Sequence, residues 1–146
     1  MKDFIKSLDE NLEYLGHEMD GELVRIYVAS VRKAVACPYC GMLSENVHSY
    51  YARKFRDLPV MGKKTEIALR NRKMYCTNPS CPRETFAERF DCLARHGRKT
   101  KRLMSKIIDV AIHTSSVAAS EILSDGIADA GKSAICGYIK KRYSAS

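Results

Sequence analysis

The sequence predicts an α+β fold in which a small β module comes before a helical module. Two cysteine pairs, Cys37 with Cys40 and Cys76 with Cys81, frame an insert of 35 residues. The runs beside these pairs alternate in polarity as strands do, whereas apolar residues recur at helical spacing beyond residue 95. We therefore expect three parts: an N-terminal helix and lead (residues 1–20), the β module (21–94) and the helical module (95–146).

The N-terminal part carries an apolar stripe with helical spacing. Its members are Phe4, Ile5, Leu8, Leu12 and Leu15. Gly16 follows at the position of a C-terminal cap. The pattern predicts a short amphipathic helix over residues 3–15, with a packing role.

Three strand-like runs make up the β module. They cover residues 22–35, 47–55 and 65–75, and turn-forming residues around Gly62 separate the last two. In the third run the two-residue period places Arg70 and Arg72 on one face and the apolar Ile67 and Leu69 on the other. We expect one face to pack and the other to be available to phosphates.

The four paired cysteines have the spacing of a structural zinc site. Zn²⁺ prefers four thiolate or imidazole ligands in a tetrahedron, and a Cys-x-x-Cys turn supplies two sulfurs from one tight loop. Gly41 follows the first pair and lets the backbone turn back toward the thiolates. The predicted ligands are Cys37, Cys40, Cys76 and Cys81. Together with the strands they predict a zinc-ribbon-like antiparallel β module.

Disulfides are the alternative use of these cysteines. The first 30 residues lack a signal-peptide pattern, and no apolar run is long enough to span a membrane. We therefore expect a cytoplasmic protein, in which thiols stay reduced. Cys92 and Cys136 are interpreted as idle or buried thiols. His48 or His96 could replace one ligand, but four cysteines at suitable spacings already complete the set.

The charge distribution favours a nucleic-acid partner. The chain has a net charge of +8, with −5 on residues 1–22 and +13 on the remainder. A basic body of this kind is typical of proteins that bind nucleic acid. An anionic membrane is the rival partner, but the sequence has no basic amphipathic helix with exposed aromatic residues to support it.

The last third predicts three short helices, over residues 99–112, 115–123 and 133–143. Such a set with a glycine-containing turn indicates a helix-turn-helix module, whose last helix enters the major groove of DNA. We expect this helix and its start to contact DNA. The residues concerned are Lys132, Ser133, Lys140, Lys141 and Arg142.

The stretch from Gly126 to Ser133 also satisfies the phosphate-loop pattern G-x-x-x-x-G-K-[S/T]. A phosphate loop follows a buried parallel strand, yet the residues before Gly126 have a helical pattern. Only 13 residues follow Ser133, too few for the rest of a nucleotide-binding fold. We therefore expect no nucleotide binding.

Several linked motifs also resemble a known family. They are Cys37-Pro-Tyr-Cys-Gly41, Val47-His-Ser-Tyr-Tyr51 with Arg53, Asp57-Leu-Pro59, Gly62, Arg72-Lys73, Cys76 with Asn78 and Cys81, Thr85-Phe-Ala-Glu-Arg-Phe90, and Arg98 with Thr100 and Arg102-Leu103. Their order and spacing resemble the N-terminal part of the ISL-three family of insertion-sequence transposases. The resemblance implies a zinc module and a helix-turn-helix that recognise the terminal inverted repeats of the element.

Complete members of that family continue into an RNase-H-like domain whose acidic residues bind two metal ions for phosphoryl transfer. No residue of the present sequence can be assigned to that set. We therefore expect a DNA-binding protein without catalytic residues, a truncated or stand-alone front end of a transposase. A zinc-ribbon protein that binds RNA or a protein partner remains the alternative.

The expected cofactor is Zn²⁺, and the expected partner is double-stranded DNA, with neither membrane nor nucleotide; a homodimer stays open. Basic residues outside the last helix are expected to contact phosphates and to make the affinity fall with salt. They are Arg53, Arg56, Arg70, Arg72, Arg98, Lys99, Lys101 and Arg102.

Overall fold

A computed structural model describes residues 1–94 and 97–113 of this protein. Most of the regular structure in these residues is β. The elements in chain order are α1 (Lys2–Leu8), β1 (Leu12–Asp20), β2 (Leu23–Ser30), β3 (Val35–Ala36), β4 (Leu43–Ser44), β5 (Val47–Val60), β6 (Lys63–Tyr75), β7 (Thr85–Ala87) and α2 (Lys101–His113).

The predicted α+β fold with a three-helix helix-turn-helix module is wrong. The structure is mostly β, and the described residues contain two short helices and no three-helix unit. The first of the three predicted helices corresponds to α2. The other two, over residues 115–123 and 133–143, lie outside the described residues, as does the phosphate-loop pattern. The prediction was wrong because it took half of the fold class from helices expected in the last third of the chain, whereas strands form most of the regular structure in the described residues.

The N-terminal helix is also shorter than predicted. Helix α1 ends at Leu8, because Asp9 is extended, with φ −159° and ψ 127°. The Asp9 carboxylate then accepts a hydrogen bond from the Asn11 amide at 2.9 Å, which turns the chain into β1. Leu15, which completed the helical stripe, is 55% exposed on that strand. The apolar spacing thus combined a helix with the first strand.

Five strands form one sheet in the order β1-β2-β6-β5, and β7 pairs with the end of β6. The β1–β2 and β5–β6 hairpins are antiparallel, but β2 and β6 run parallel. The predicted module was entirely antiparallel. In the chain, β3, β4 and β5 lie between β2 and β6. Because no hairpin turn joins β2 to β6, the two strands can pair in the same direction.

The tight turn of the β5–β6 hairpin explains its register. Met61 and Gly62 both have positive φ, 53° and 70°. Two consecutive residues of this kind match the right-handed twist of the flanking strands.

One face of the sheet packs against α1 and the segment after β7. The buried side chains of this core are Ile5, Leu12, Val24, Ile26, Val28, Phe55, Ile67, Leu69, Phe90 and Leu93. The other face is open, and Arg70 is exposed on it. The predicted apolar face of β6 with Ile67 and Leu69 and the exposed position of Arg70 are thus confirmed, whereas Arg72, which was predicted to share the accessible face with Arg70, is partly buried against Glu88.

The start of α2 is attached to β5 by a buried carboxylate. Asp57, 1% exposed, accepts hydrogen bonds from the Thr100 hydroxyl at 2.7 Å and from Arg102 Nε at 2.8 Å. Thr100 caps the helix, since its hydroxyl oxygen also accepts from the Leu103 amide at 3.3 Å. Neither described helix is long and apolar enough to cross a membrane.

Candidate metal centre and basic surface

The first pair of cysteines lies in a tight loop between β3 and β4. The Gly41 amide donates to the Cys37 carbonyl at 2.8 Å, and the Cys37 amide donates to the Met42 carbonyl at 2.9 Å. Gly41 has a φ of 81°, which an L-residue adopts only with strain. The loop therefore depends on glycine directly after the second cysteine, as the sequence indicated.

The second pair lies in the loop between β6 and β7. The Asn78 side chain accepts from the Ser80 amide at 3.0 Å, and the Asn78 carbonyl accepts from the Cys81 amide at 3.0 Å. The Cys76 amide donates to the Glu84 carbonyl at 2.8 Å and closes the loop. Pairing of β7 with β6 then fixes both ends.

The two loops bring the four sulfurs into one cluster. All four sulfur atoms lie within 4.8 Å of one another. The Cys37 and Cys81 sulfurs are 3.9 Å apart, and those of Cys40 and Cys76 are 3.6 Å apart. Ligands on a zinc tetrahedron with bonds of about 2.3 Å lie about 3.8 Å from each other. The four cysteines therefore fit Zn²⁺, whose chemistry here is structural, since four protein ligands leave no open position.

Backbone amides and burial act in opposite directions on the pKa values of the clustered thiols. The Met42 amide bonded to the Cys40 sulfur lowers the pKa of Cys40 to about 7. The Asn78 amide acts in the same sense on Cys76, but desolvation and the neighbouring cysteines outweigh it and raise the pKa of Cys76 to about 12. Without metal Cys76 therefore keeps its proton at neutral pH, and zinc binding must release it.

A small apolar cluster, separate from the main core, packs against the site. It consists of the buried Val35, Cys37, Met74 and Phe86, with Val47, Cys76 and Cys81 packed against it. His48 lies outside the ligand set: its ring contacts Tyr75 at 4.9 Å between centroids, and its Nδ1 is 2.9 Å from the Ser49 hydroxyl. His96 lies outside the described residues.

Two of the predicted DNA contacts are held by buried carboxylates. The Arg72 guanidinium bonds both Glu88 oxygens, at 2.8 and 3.0 Å, and Glu88 is 1% exposed. Glu88 raises the pKa of Arg72 by hydrogen bonding to it. Arg102 pairs with Asp57 at 2.5 Å and lies over the Phe4 ring at 4.4 Å. Both arginines therefore have a role in holding the fold together.

Four other predicted contacts surround the open face of the sheet. Arg56 and Arg70 lie on that face by the strand register, with Arg70 at 4.1 Å from the Tyr50 ring. Backbone hydrogen bonds place residues 98–100 beside Arg56, since the Arg56 amide donates to the Arg98 carbonyl at 2.8 Å and Lys99 is bridged to Arg56. Lys54, which was not among the predicted contacts, lies with Arg56 and Arg98 in one cavity.

The last two described contacts, Arg53 and Lys101, line a different groove of about 530 Å³. Sequence reasoning missed three of its residues, Tyr39, Tyr51 and Arg89. The signal for them was the aromatic residue inside the first cysteine loop and the arginine directly after Glu88. Lys132, Ser133, Lys140, Lys141 and Arg142 lie outside the described residues.

Four cysteines on two loops at one end of a β-sheet define a structural zinc centre of the ribbon class. Residues 33–82 match the family model of the zinc-finger of transposase IS204/IS1001/IS1096/IS1165. The transposase for insertion sequence element IS1001 of Bordetella parapertussis is 31% identical over 86 residues, which is 59% of this chain. The resemblance to the N-terminal zinc region of ISL-three transposases is thus confirmed.

The chain spans about a fifth of the length of the curated relative it matches, since the alignment covers 20% of that protein. The family-model match lies in the zinc-finger region, over residues 33–82. No solved structure matches the chain.

Proposed function

We propose that this protein binds duplex DNA as the zinc-ordered recognition part of a transposase, and that its target is the terminal inverted repeat of an insertion sequence. The observation that carries the proposal is the position of the basic residues. They lie on a sheet whose one end is held by the zinc centre, in a region that matches transposase zinc fingers.

The open face of the sheet has an excess of positive charge. Arg56 and Arg70 belong to neighbouring strands of one hairpin, and Arg98 lies beside Arg56. Glu66 lies among them, but it pairs with Arg25 at 2.7 Å. The remaining cations are therefore available to phosphates, which position a protein on DNA without specifying the sequence.

Zinc has a supporting part in this proposal. The ion ties the end of β6 to the β3–β4 loop through Cys76 and Cys40, whose sulfurs are 3.6 Å apart. Binding energy at a structural zinc site is also folding energy. Removing the metal therefore frees the end of the hairpin whose face carries the cations.

The proposal is tested by fluorescence anisotropy of the zinc-loaded protein against three labelled ligands of equal length. They are a duplex of the flanking inverted repeat, a scrambled duplex and an RNA. We expect the repeat to bind at least tenfold more tightly than the scrambled duplex, because sequence readout adds to the electrostatic term. Equal weak binding to all three would contradict recognition of the repeat, and a preference for RNA would favour the alternative.

A pair of variants separates the open face from general charge. Arg56→Ala combined with Arg70→Ala removes two cations from that face, and Lys6→Ala combined with Lys63→Ala removes the same charge from elsewhere. Only the first pair is expected to weaken duplex binding tenfold or more and to reduce the salt dependence by about two counterions. Equal affinity of both pairs would exclude the open face as the contact surface.

A further inference from the structure

The groove beside the first cysteine loop has the composition of an anion site. Its lining includes Tyr39, Tyr51, Arg53, Glu88, Arg89, Asp91 and Lys101. Glu88 is already paired with Arg72 and Arg32, so Asp91 is the remaining acidic residue, whereas Arg89 and Lys101 supply two positive charges. From this excess we propose a second phosphate-binding surface on the DNA-binding protein inferred above, in the groove of Tyr51, Arg89 and Lys101.

The Tyr51 hydroxyl is oriented by a buried side chain. Asn71, which is fully buried, donates from Nδ2 to the Tyr51 hydroxyl oxygen at 2.7 Å. Because that oxygen accepts from Asn71, its own proton remains to be donated to a group in the groove. An oriented hydroxyl donor in a groove that is also lined by cations suits a phosphate oxygen.

The cations of the groove come from two directions. Arg89 follows β7, and Lys101 begins α2, whose first turn contains no acidic residue. Within residues 1–94 and 97–113, neither Arg89 nor Lys101 pairs with a carboxylate. The positive end of the helix dipole adds to their charge. The start of α2 therefore favours an anionic ligand over a neutral one.

The first cysteine loop contributes Tyr39 to the lining of this groove. Tyr39 lies between the ligands Cys37 and Cys40, and its ring contacts the guanidinium groups of Arg83 at 4.9 Å and Arg89 at 5.6 Å. These contacts connect the metal loop to a groove cation. The groove therefore depends on an ordered metal loop, whereas its charge comes from residues that are not ligands.

The occupant we infer is the phosphate backbone of duplex DNA. The groove and the open face both use β5, since Tyr51 and Arg53 point to the core side of the strand and Arg56 to the open side. A duplex that contacts both would meet the sheet at the edge where β5 carries residues 98–100. The groove thus extends the proposed contact surface around this edge.

The test measures binding of zinc-loaded variants to the inverted-repeat duplex and to an RNA of equal length, each over a series of salt concentrations. Arg89→Ala combined with Lys101→Ala is expected to lose at least tenfold in affinity, and its slope of log affinity against log salt is expected to fall by about 1.8. Tyr51→Phe is expected to lose about fivefold without a change in slope, because it removes a donor and no charge. Zinc content and thermal midpoint are measured for each variant.

The control is Lys6→Ala combined with Lys63→Ala, which removes equal charge from residues that do not line the groove. If the groove variant binds like this control while the wild type binds the duplex, the groove is not a contact and the proposed function stands. If the groove variant loses affinity for RNA but not for duplex DNA, the inferred occupant is wrong. If the wild type does not bind the duplex, the proposed function is wrong, and the groove proposal that rests on it is wrong as well.

Discussion

At the scale of single residues, two buried carboxylates decide what the basic side chains of this protein do. Glu88 holds Arg72 and Arg32, and Asp57 holds Arg102. Residue type and strand period alone assigned Arg72 and Arg102 to DNA. The burial of their partners could not be deduced from the sequence, because it depends on strands that are distant along the chain. The signal available in the sequence was the presence of Asp57 and Glu88 within segments rich in basic residues, which they could pair with.

Replacing Glu88 by Ala is expected to destabilise the protein by about 3 kcal/mol, because it leaves the Arg72 guanidinium buried beside an empty site. Urea unfolding of the zinc-loaded protein, followed by circular dichroism, measures this change. Glu66→Ala is the matched control: Arg25, its partner, is 28% exposed, and we expect about 1 kcal/mol or less. Equal losses in both variants would contradict a special role for Glu88.

Met61 offers a gain in stability. It is 63% exposed and has a positive φ of 53°, a conformation that costs an ordinary residue about 1 kcal/mol and that Asn tolerates better. Met61→Asn is therefore expected to raise the free energy of unfolding by about 0.5 kcal/mol, measured in the same urea titration. A loss of stability would show that this turn is not strained.

At the scale of elements, the sequence predicted the two longest strands well and the first helix poorly. The runs at 47–55 and 65–75 correspond to β5 (Val47–Val60) and β6 (Lys63–Tyr75), because polarity alternates along both and a turn separates them. The parallel pairing of β2 with β6 could not be predicted, since nothing local to either strand specifies its partner.

Helix α2 is expected to depend on its attachment to β5. Asp57→Asn removes the charge that Arg102 pairs with and weakens the bond to Thr100. We expect a loss of about 2 kcal/mol, with faster amide hydrogen exchange in residues 101–113 than in β6. Thr100→Val, which removes the cap and leaves Asp57 charged, is the companion variant. Unchanged exchange in α2 for both variants would show that apolar contacts alone hold this helix.

At the scale of the whole molecule, the zinc centre joins the loop between β3 and β4, which lie outside the five-stranded sheet, to the loop between β6 and β7. The cysteine spacing alone predicted the four clustered residues, because two short loops with turn-forming residues are sufficient to define such a site. The groove beside the cluster was not predicted. Its residues Tyr39, Tyr51 and Arg89 come from three separate segments, and only the fold brings them together.

The most direct test of zinc-dependent DNA recognition is one titration of the labelled inverted-repeat duplex with the wild type and with Cys76→Ser, zinc content being measured on the same samples. Cys92→Ser is the control, since Cys92 lies outside the sulfur cluster. We expect Cys76→Ser to lose both zinc and duplex binding, and Cys92→Ser to keep both. A Cys76→Ser protein that lacks zinc and still binds the duplex with wild-type affinity would contradict the account.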